Sequence, residues 1–176
     1  MAFKISRLHL KPAKLGLDPL EATEKEFSTM IRARRAHVKA LLLDQSVLRG
    51  MGNIYTDESL WRARIHPRRL GANLSDNEIH RLHGVVRKVL NEAIRLGGSS
   101  ISDYVDAEGQ PGEFQIRHRA YGREGKKCSR CGKKIQRIIV AGRSSYFCPV
   151  CQRAPRTHVA KPRANKHRQR SRGTKK

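Results

Sequence analysis

The chain has 176 residues, enough for one large or two small domains, and only 5% of them are aromatic, so its core must be modest. Thirty-eight Lys and Arg against fifteen Asp and Glu leave a formal charge of +23, far outside the range of a metabolic enzyme. A surface this positive asks for a polyanion, with nucleic acid as the first candidate through phosphate neutralisation and counterion release. A membrane is the weaker candidate, because no apolar run approaches the roughly 20 residues of a spanning helix. The opening Met1–Pro12 stretch is basic but has neither an apolar segment nor a cleavage site, so the chain is expected in the cytoplasm.

Residues 1–19 contain Pro12, Gly16 and Pro19 and read as an extended lead-in. Thr23-Glu-Lys-Glu26 is a capping box that opens a helix to about Arg34, with Phe27, Met30 and Ile31 on one face. A second helix is expected over about Ala36 to Leu48, with Val38, Leu41, Leu42 and Val47 as its apolar stripe. Arg49-Gly-Met-Gly-Asn53 breaks it with a tight turn whose backbone is accessible, and Asn53 is placed to cap a third helix from Ile54 to about Ala63. Ser75-Asp-Asn-Glu78 opens a long fourth helix to about Leu96, ended by Gly97-Gly98. Phe27 and Trp61 read as core, and His66, before Pro67, as a turn residue.

A Ser-, Asp- and Gly-rich loop follows from Ser99 to Gly112, and Phe114 to Tyr121 looks like a strand. Next come Cys128-Ser-Arg-Cys131 and Cys148-Pro-Val-Cys151, which use all four cysteines. Two residues between cysteines let both thiolates of a knuckle face one point, and the sixteen-residue gap accommodates a β-hairpin that brings the second knuckle opposite the first. Ile135, Arg137 and Ile139 alternate, Ala141-Gly142-Arg143 turns, and Ser145-Tyr146-Phe147 returns. One structural Zn²⁺ is the reading; a disulfide pair and a redox C-x-x-C are the rivals, without a signal peptide or a βαβ pattern to favour them. Residues 153–176, rich in Lys and Arg and free of acidic side chains, are expected to be a disordered tail.

The run Lys39 to Gln45 followed by Arg49-Gly-Met-Gly-Asn-Ile-Tyr-Thr-Asp-Glu-Ser-Leu60 resembles one family, the formamidopyrimidine-DNA glycosylase/endonuclease VIII family. The likeness continues through Ile65-His-Pro67, Gly97 to Gly109, Tyr121-Gly-Arg123, the four cysteines and Val140 to Ser144, so it covers about 14 to 152. The loop looks more like the formamidopyrimidine branch. The implied fold is mainly α with a small β zinc hairpin: a helix–two-turns–helix domain over 20–113, a four-cysteine zinc finger over 114–152 and the basic tail.

The resemblance also implies roles. Asn53 and the amides around Gly50 and Gly52 would grip a DNA phosphate, aided by the positive end of a helix dipole. Lys39 would hold a neighbouring phosphate, Arg143 would insert from the hairpin tip beside a flipped nucleotide, and Tyr121 would add a phosphate contact. The loop with Ser100, Asp103, Tyr104 and Asp106 would cover an everted oxidised purine, and Cys128, Cys131, Cys148 and Cys151 would hold the zinc. The implied function is damaged-DNA binding in base-excision repair, on duplexes with oxidised purines or abasic sites. The chain would act as a nucleoid-associated bacterial monomer.

The family's chemistry starts from an amino-terminal Pro-Glu on a β-sandwich, whereas this sequence starts Met1-Ala2-Phe3-Lys4. The expectation is therefore no catalytic residue in this chain, with its standing as an enzyme left open: a truncated reading frame, a fragment, or a binding module that works alone or with a separate catalytic domain. A stand-alone DNA-binding module is a second reading. A zinc ribbon for RNA is a third, and it leaves the Gly-Met-Gly-Asn block unexplained.

Overall fold

The computed structural model describes residues 16–99 and 112–155. The lead-in before residue 16, the loop residues Ser100, Asp103, Tyr104 and Asp106, and the tail beyond residue 155 lie outside the described residues. The order is α1 (Glu24–Arg32), α2 (Val38–Leu43), α3 (Asn53–Ala63), α4 (Asp76–Arg95), then the hairpin β1 (Gln136–Val140) and β2 (Arg143–Phe147).

Both capping boxes form. Thr23 and Ser75 each accept the amide of the glutamate three residues on, while Glu26 and Glu78 reach back to the cap amides. Phe27 and Ile31 of α1, and Ile79, Leu82 and Val86 of α4, meet Leu41 and Leu42 of α2 and Leu60 of α3 in one core. These stripes follow helical spacing because residues three and four apart share a face. α3 is different: Thr56 to Trp61 are all buried, polar residues included, so this helix is covered on two sides. The helical core lies against one side and the metal module against the other.

Five expectations need correcting. α2 stops at Leu43 instead of running to Leu48, because the Asp44 carboxylate captures the amide and hydroxyl of Ser46 at 2.9 and 2.6 Å and folds the chain into a turn. The cap of α3 is Gly52, and Asn53 is its first helical residue, so the Asn53 side chain does not cap. Phe114–Arg117 is a 3-10 turn and no strand; Phe114 alone is driven inward, onto Val89 and Ala93, while Ile116 stays 64% exposed. In the hairpin, Ile135 and Val140 are buried and Ile139 is exposed, which departs from the alternation expected for 135, 137 and 139. The turn is the pair Ala141-Gly142, with φ of +50° and +70°, and Arg143 is the first residue of β2. Two positive φ values match the twist of a tight antiparallel hairpin.

Candidate nucleic-acid interface and metal centre

The four cysteines converge. Their sulfurs all lie within 4.8 Å of one another, which fits the edge of about 3.8 Å for a tetrahedron with Zn–S bonds of about 2.3 Å. None is in a disulfide, and Cys131 Sγ stands 3.4 Å from Cys148 Sγ. Burial raises the Cys128 thiol, yet the amides of Arg130 and Cys131 outweigh it and bring it down to about 7. Burial and the neighbouring Cys131 and Cys148 sulfurs push Cys151 up to about 12. Thiolates so crowded need a dication to coexist, and a coordinating thiol is deprotonated outright. The donor set fits one structural zinc ion, which closes the two knuckles.

The knuckles are joined to the helical layer. Gln152, fully buried, accepts from the Cys148 amide at 2.9 Å and donates to the Ile65 carbonyl at 2.8 Å. Arg130 lies over the Trp61 ring at 3.9 Å and donates to the Trp61 carbonyl at 3.0 Å. Trp61 itself packs on Ala120, Cys128, Ile135 and Cys148, so it is core, as is Phe27. His66 is buried against Phe147, and its Nδ1 accepts from the Arg68 amide at 3.1 Å, which makes it a turn residue; the candidate ligand group is the four cysteines without it.

At the other end of α3 stands the glycine turn. Gly50 has φ of +76° with nothing within 4 Å of a notional Cβ, so its backbone faces open space. Gln45 braces the turn from α2's end, accepting from the Gly50 amide at 2.8 Å and donating to the Met51 carbonyl at 3.0 Å. No side chain caps the start of α3.

The hairpin tip reaches this turn. In a two-residue hairpin Val140 and Arg143 form the first bonded pair, so Ser144 and Tyr146 direct their backbone groups away from β1. Helical side chains meet those groups. Asn53 Nδ2 donates to the Ser144 carbonyl at 3.1 Å, and Lys39 Nζ donates to the same oxygen at 2.7 Å. Asp57 completes the set, with Oδ1 2.6 Å from Lys39 Nζ and Oδ2 accepting the Tyr146 amide at 2.9 Å. Burial pushes the Asp57 carboxyl up to about 6, against the pull of Lys39 and the Tyr146 amide, and desolvation lowers Lys39.

Lys39 therefore has other partners than a phosphate: its side chain is 0% exposed and its ammonium is enclosed by Asp57 and Ser144. Asn53 holds the carbonyl of Ser144, the residue that follows Arg143, and Arg143 is exposed. Arg68, also exposed, donates to the Ile139 carbonyl at 3.4 Å near the same tip. Tyr121 is half-buried, edge-on to Tyr146 with centroids 5.2 Å apart. Its amide, with those of Arg119 and Ala120, is held by Glu58 Oε1 at 2.8 to 2.9 Å.

The two ends of the predicted lesion loop are clamped. Ser99 pairs with Glu113, and the Phe114 amide reaches the Gly98 carbonyl at 2.9 Å. Gly112 permits this closeness, because a Cβ there would stand 2.4 Å from the Gly97 oxygen. A hollow of about 710 Å³ opens between the glycine turn and this clamp, bordered by Gln45, Gly50, Tyr55, Leu90, Ile94 and Ser99.

Sequence reasoning missed Gln45, Asp57, Glu58 and Arg68 as parts of this arrangement. The available signal was the Asp57-Glu58 pair within a helix whose other side already carried Leu60 and core contacts, where acids have no reason to be unless bonded.

Fold and site together define a helix–two-turns–helix domain joined to a four-cysteine zinc finger. The chain belongs to the formamidopyrimidine-DNA glycosylase H2TH family, whose domain model matches 15–105, and a zinc finger found in FPG and IleRS matches 125–154. The formamidopyrimidine-DNA glycosylase of Solibacter usitatus is 48% identical over 80% of this chain and 53% of its own length. That of Heliobacterium modesticaldum is 49% identical, over 80% and 51%. Among solved structures, the Lactococcus lactis Fpg complex with DNA containing an abasic site superposes with a TM-score of 0.75 at 45% identity, covering 81% of this chain and 53% of that one. Thermus thermophilus MutM gives 0.75 at 46%, over 79% and 54%. The chain thus spans about half the length of the relatives it matches.

Proposed function

We propose that this chain supplies the DNA-binding and lesion-covering half of an oxidised-purine DNA glycosylase and AP lyase, acting at the bacterial nucleoid. The observation that carries the reading is the Ser144 carbonyl, held by Asn53 on one side and continuous with Arg143 on the other. The glycine turn with Asn53 (the elbow) and the hairpin tip with Arg143 (the finger) would thereby offer one cationic edge to a sugar–phosphate backbone. The uncapped start of α3 offers backbone amides and a positive dipole end to one phosphate. Asn53 has a second amide hydrogen beyond the one given to Ser144. Arg143 and the exposed Arg68 suit the backbone beside an everted nucleotide, and Tyr121 the phosphate beyond. Lys39 serves from inside. Everting a base costs a few kcal/mol, least at a damaged pair, so a grip of this kind favours abasic or oxidised sites over intact duplex. Ser99, at one end of the loop, borders the hollow, and the loop it opens would cover the displaced base. No described residue is assigned a bond-breaking step.

The test is competition between an abasic and an intact duplex, across a salt titration, with the zinc-loaded chain. Binding weakens steeply with salt, the abasic duplex wins, and Asn53→Ala and Arg143→Ala each narrow the gap with folding intact. Equal affinity for both duplexes contradicts the proposal. Borohydride trapping on the abasic duplex separates the two versions of the activity: a cross-linked species means the chain carries an attacking amine, and none means it binds without breaking bonds.

A further inference from the structure

α3 and β2 are matched like two rulers. Asn53 and Asp57 are four residues apart, on one face of the helix, with a rise of about 6 Å between them. Ser144 and Tyr146, the residues they hold, are two apart on a strand, a separation of about 6.8 Å. The hairpin register turns the backbone groups of Ser144 and Tyr146 outward, whereas Arg143, Ser145 and Phe147 face β1 with theirs. A slip of one residue along α3 would thus offer Asn53 and Asp57 groups already bonded within the hairpin. A slip of two would displace Arg143 from Asn53 by about 6.8 Å. One register alone satisfies both helical side chains and keeps the arginine beside the glycine turn.

Lys39 makes that register discriminating. Its ammonium joins Asp57 to the Ser144 carbonyl, and both side chains are at most 1% exposed. A buried ion pair is a poor device for stability as such, but removal of one member strands the other charge, so the pair penalises every arrangement that breaks it. Glu58, the next residue, fixes a different segment, the 119–121 backbone, and leaves the hairpin to Asp57.

We propose that Asp57, together with Lys39, is a positioning residue for DNA recognition: it sets the register of β2 along α3 and so places the Arg143 finger against the Asn53 elbow. Neither side chain touches DNA, and the assignment rests on the phosphate-grip reading above. If Asp57 acts through Arg143, its loss matters only while Arg143 is present.

The test is a double-mutant cycle on the zinc-loaded chain, read as affinity for an abasic duplex, with zinc content and thermal melting measured beside it. Arg143→Ala weakens binding, Asp57→Ala weakens it by about tenfold, and the double variant is no weaker than Arg143→Ala alone. Should Asp57→Ala lose zinc, Asp57→Asn takes its place, since its amide oxygen still accepts the Tyr146 amide while the charge on Lys39 goes unmatched. Additive losses, or full affinity in the Asp57 variant, overturn the positioning role and leave the grip standing. No loss in Arg143→Ala removes the grip, and the positioning role falls with it.

Discussion

On one side of α3, Phe27, Ile31, Leu42, Leu60, Ile79 and Leu82 close into a continuous apolar core, all at most 1% exposed. On the other side the metal module has a smaller apolar cluster, Trp61, Ala120, Cys128, Ile135 and Cys148 with Tyr146 against them, and its backbone is tethered through Asp57, Glu58 and Gln152. The helical half follows from hydrophobic burial over two capped helices. The metal half has too little apolar area to order itself and depends on a metal at one end and on polar side chains of α3 along its length. That division suits the proposed work, because a short finger fixed by directional bonds is placed more sharply than one resting on an apolar patch.

Removing zinc is the harshest way to break this contrast. Structural zinc contributes about 10–16 kcal/mol of apparent free energy in small modules, so chelation or Cys131→Ser should unfold 125–154 outright. Far-UV circular dichroism should keep most of its helical signal, while Trp61 fluorescence reports the exposed ring. Collapse of the helices together with the finger would show that the two halves are one cooperative unit. Phe27→Ala attacks the opposite side. Deleting a fully buried ring costs about 3–5 kcal/mol in urea unfolding, and zinc content should stay at one per chain.

A smaller effect distinguishes the tether from the core. Asp57 titrates at about 6 in the folded chain instead of the ordinary 3.8. Between those values the folded state holds a proton that the unfolded state has lost, so this group's contribution to stability falls as pH rises from about 4 to about 6. Asp57→Asn lacks that slope, and its stability relative to the parent should climb by about 1–3 kcal/mol across the window. Denaturant curves at matched pH, in which metal loss common to both chains cancels, read the difference; parallel curves would mean that Asp57 is unperturbed. Smallest of all, Thr23→Ala and Ser75→Ala should each cost about 1 kcal/mol of thermal stability without changing zinc content or DNA affinity.

The same division governs what was legible in the sequence. Capping boxes and apolar spacing are local signals, so α1 and α4 could be read to within two residues of their ends. The C-x-x-C pairs announced the metal site because ligand spacing is itself local. Contacts made across the chain were harder to read. Lys39 reads in sequence as a phosphate contact because nothing nearby in sequence reveals Asp57 and Ser144 beside it, 18 and 105 residues away. The Phe114 to Tyr121 run looked like a strand, but no partner strand stands beside it among the described residues, and Glu58 takes up its later amides instead. α2 fell short of its apolar stripe because one aspartate offered the backbone a turn. Asn53 and Arg143 were legible as a pair only through family resemblance; the oxygen that joins them belongs to Ser144 and has no signature in sequence.

Amide hydrogen exchange, followed on the zinc-loaded chain before and after an abasic duplex is added, tests the joint grip most directly. The account predicts that the amides from Gly50 to Ile54 and those from Ala141 to Ser144 slow together, at the same DNA concentration. Protection of one stretch alone, or of neither, would contradict it.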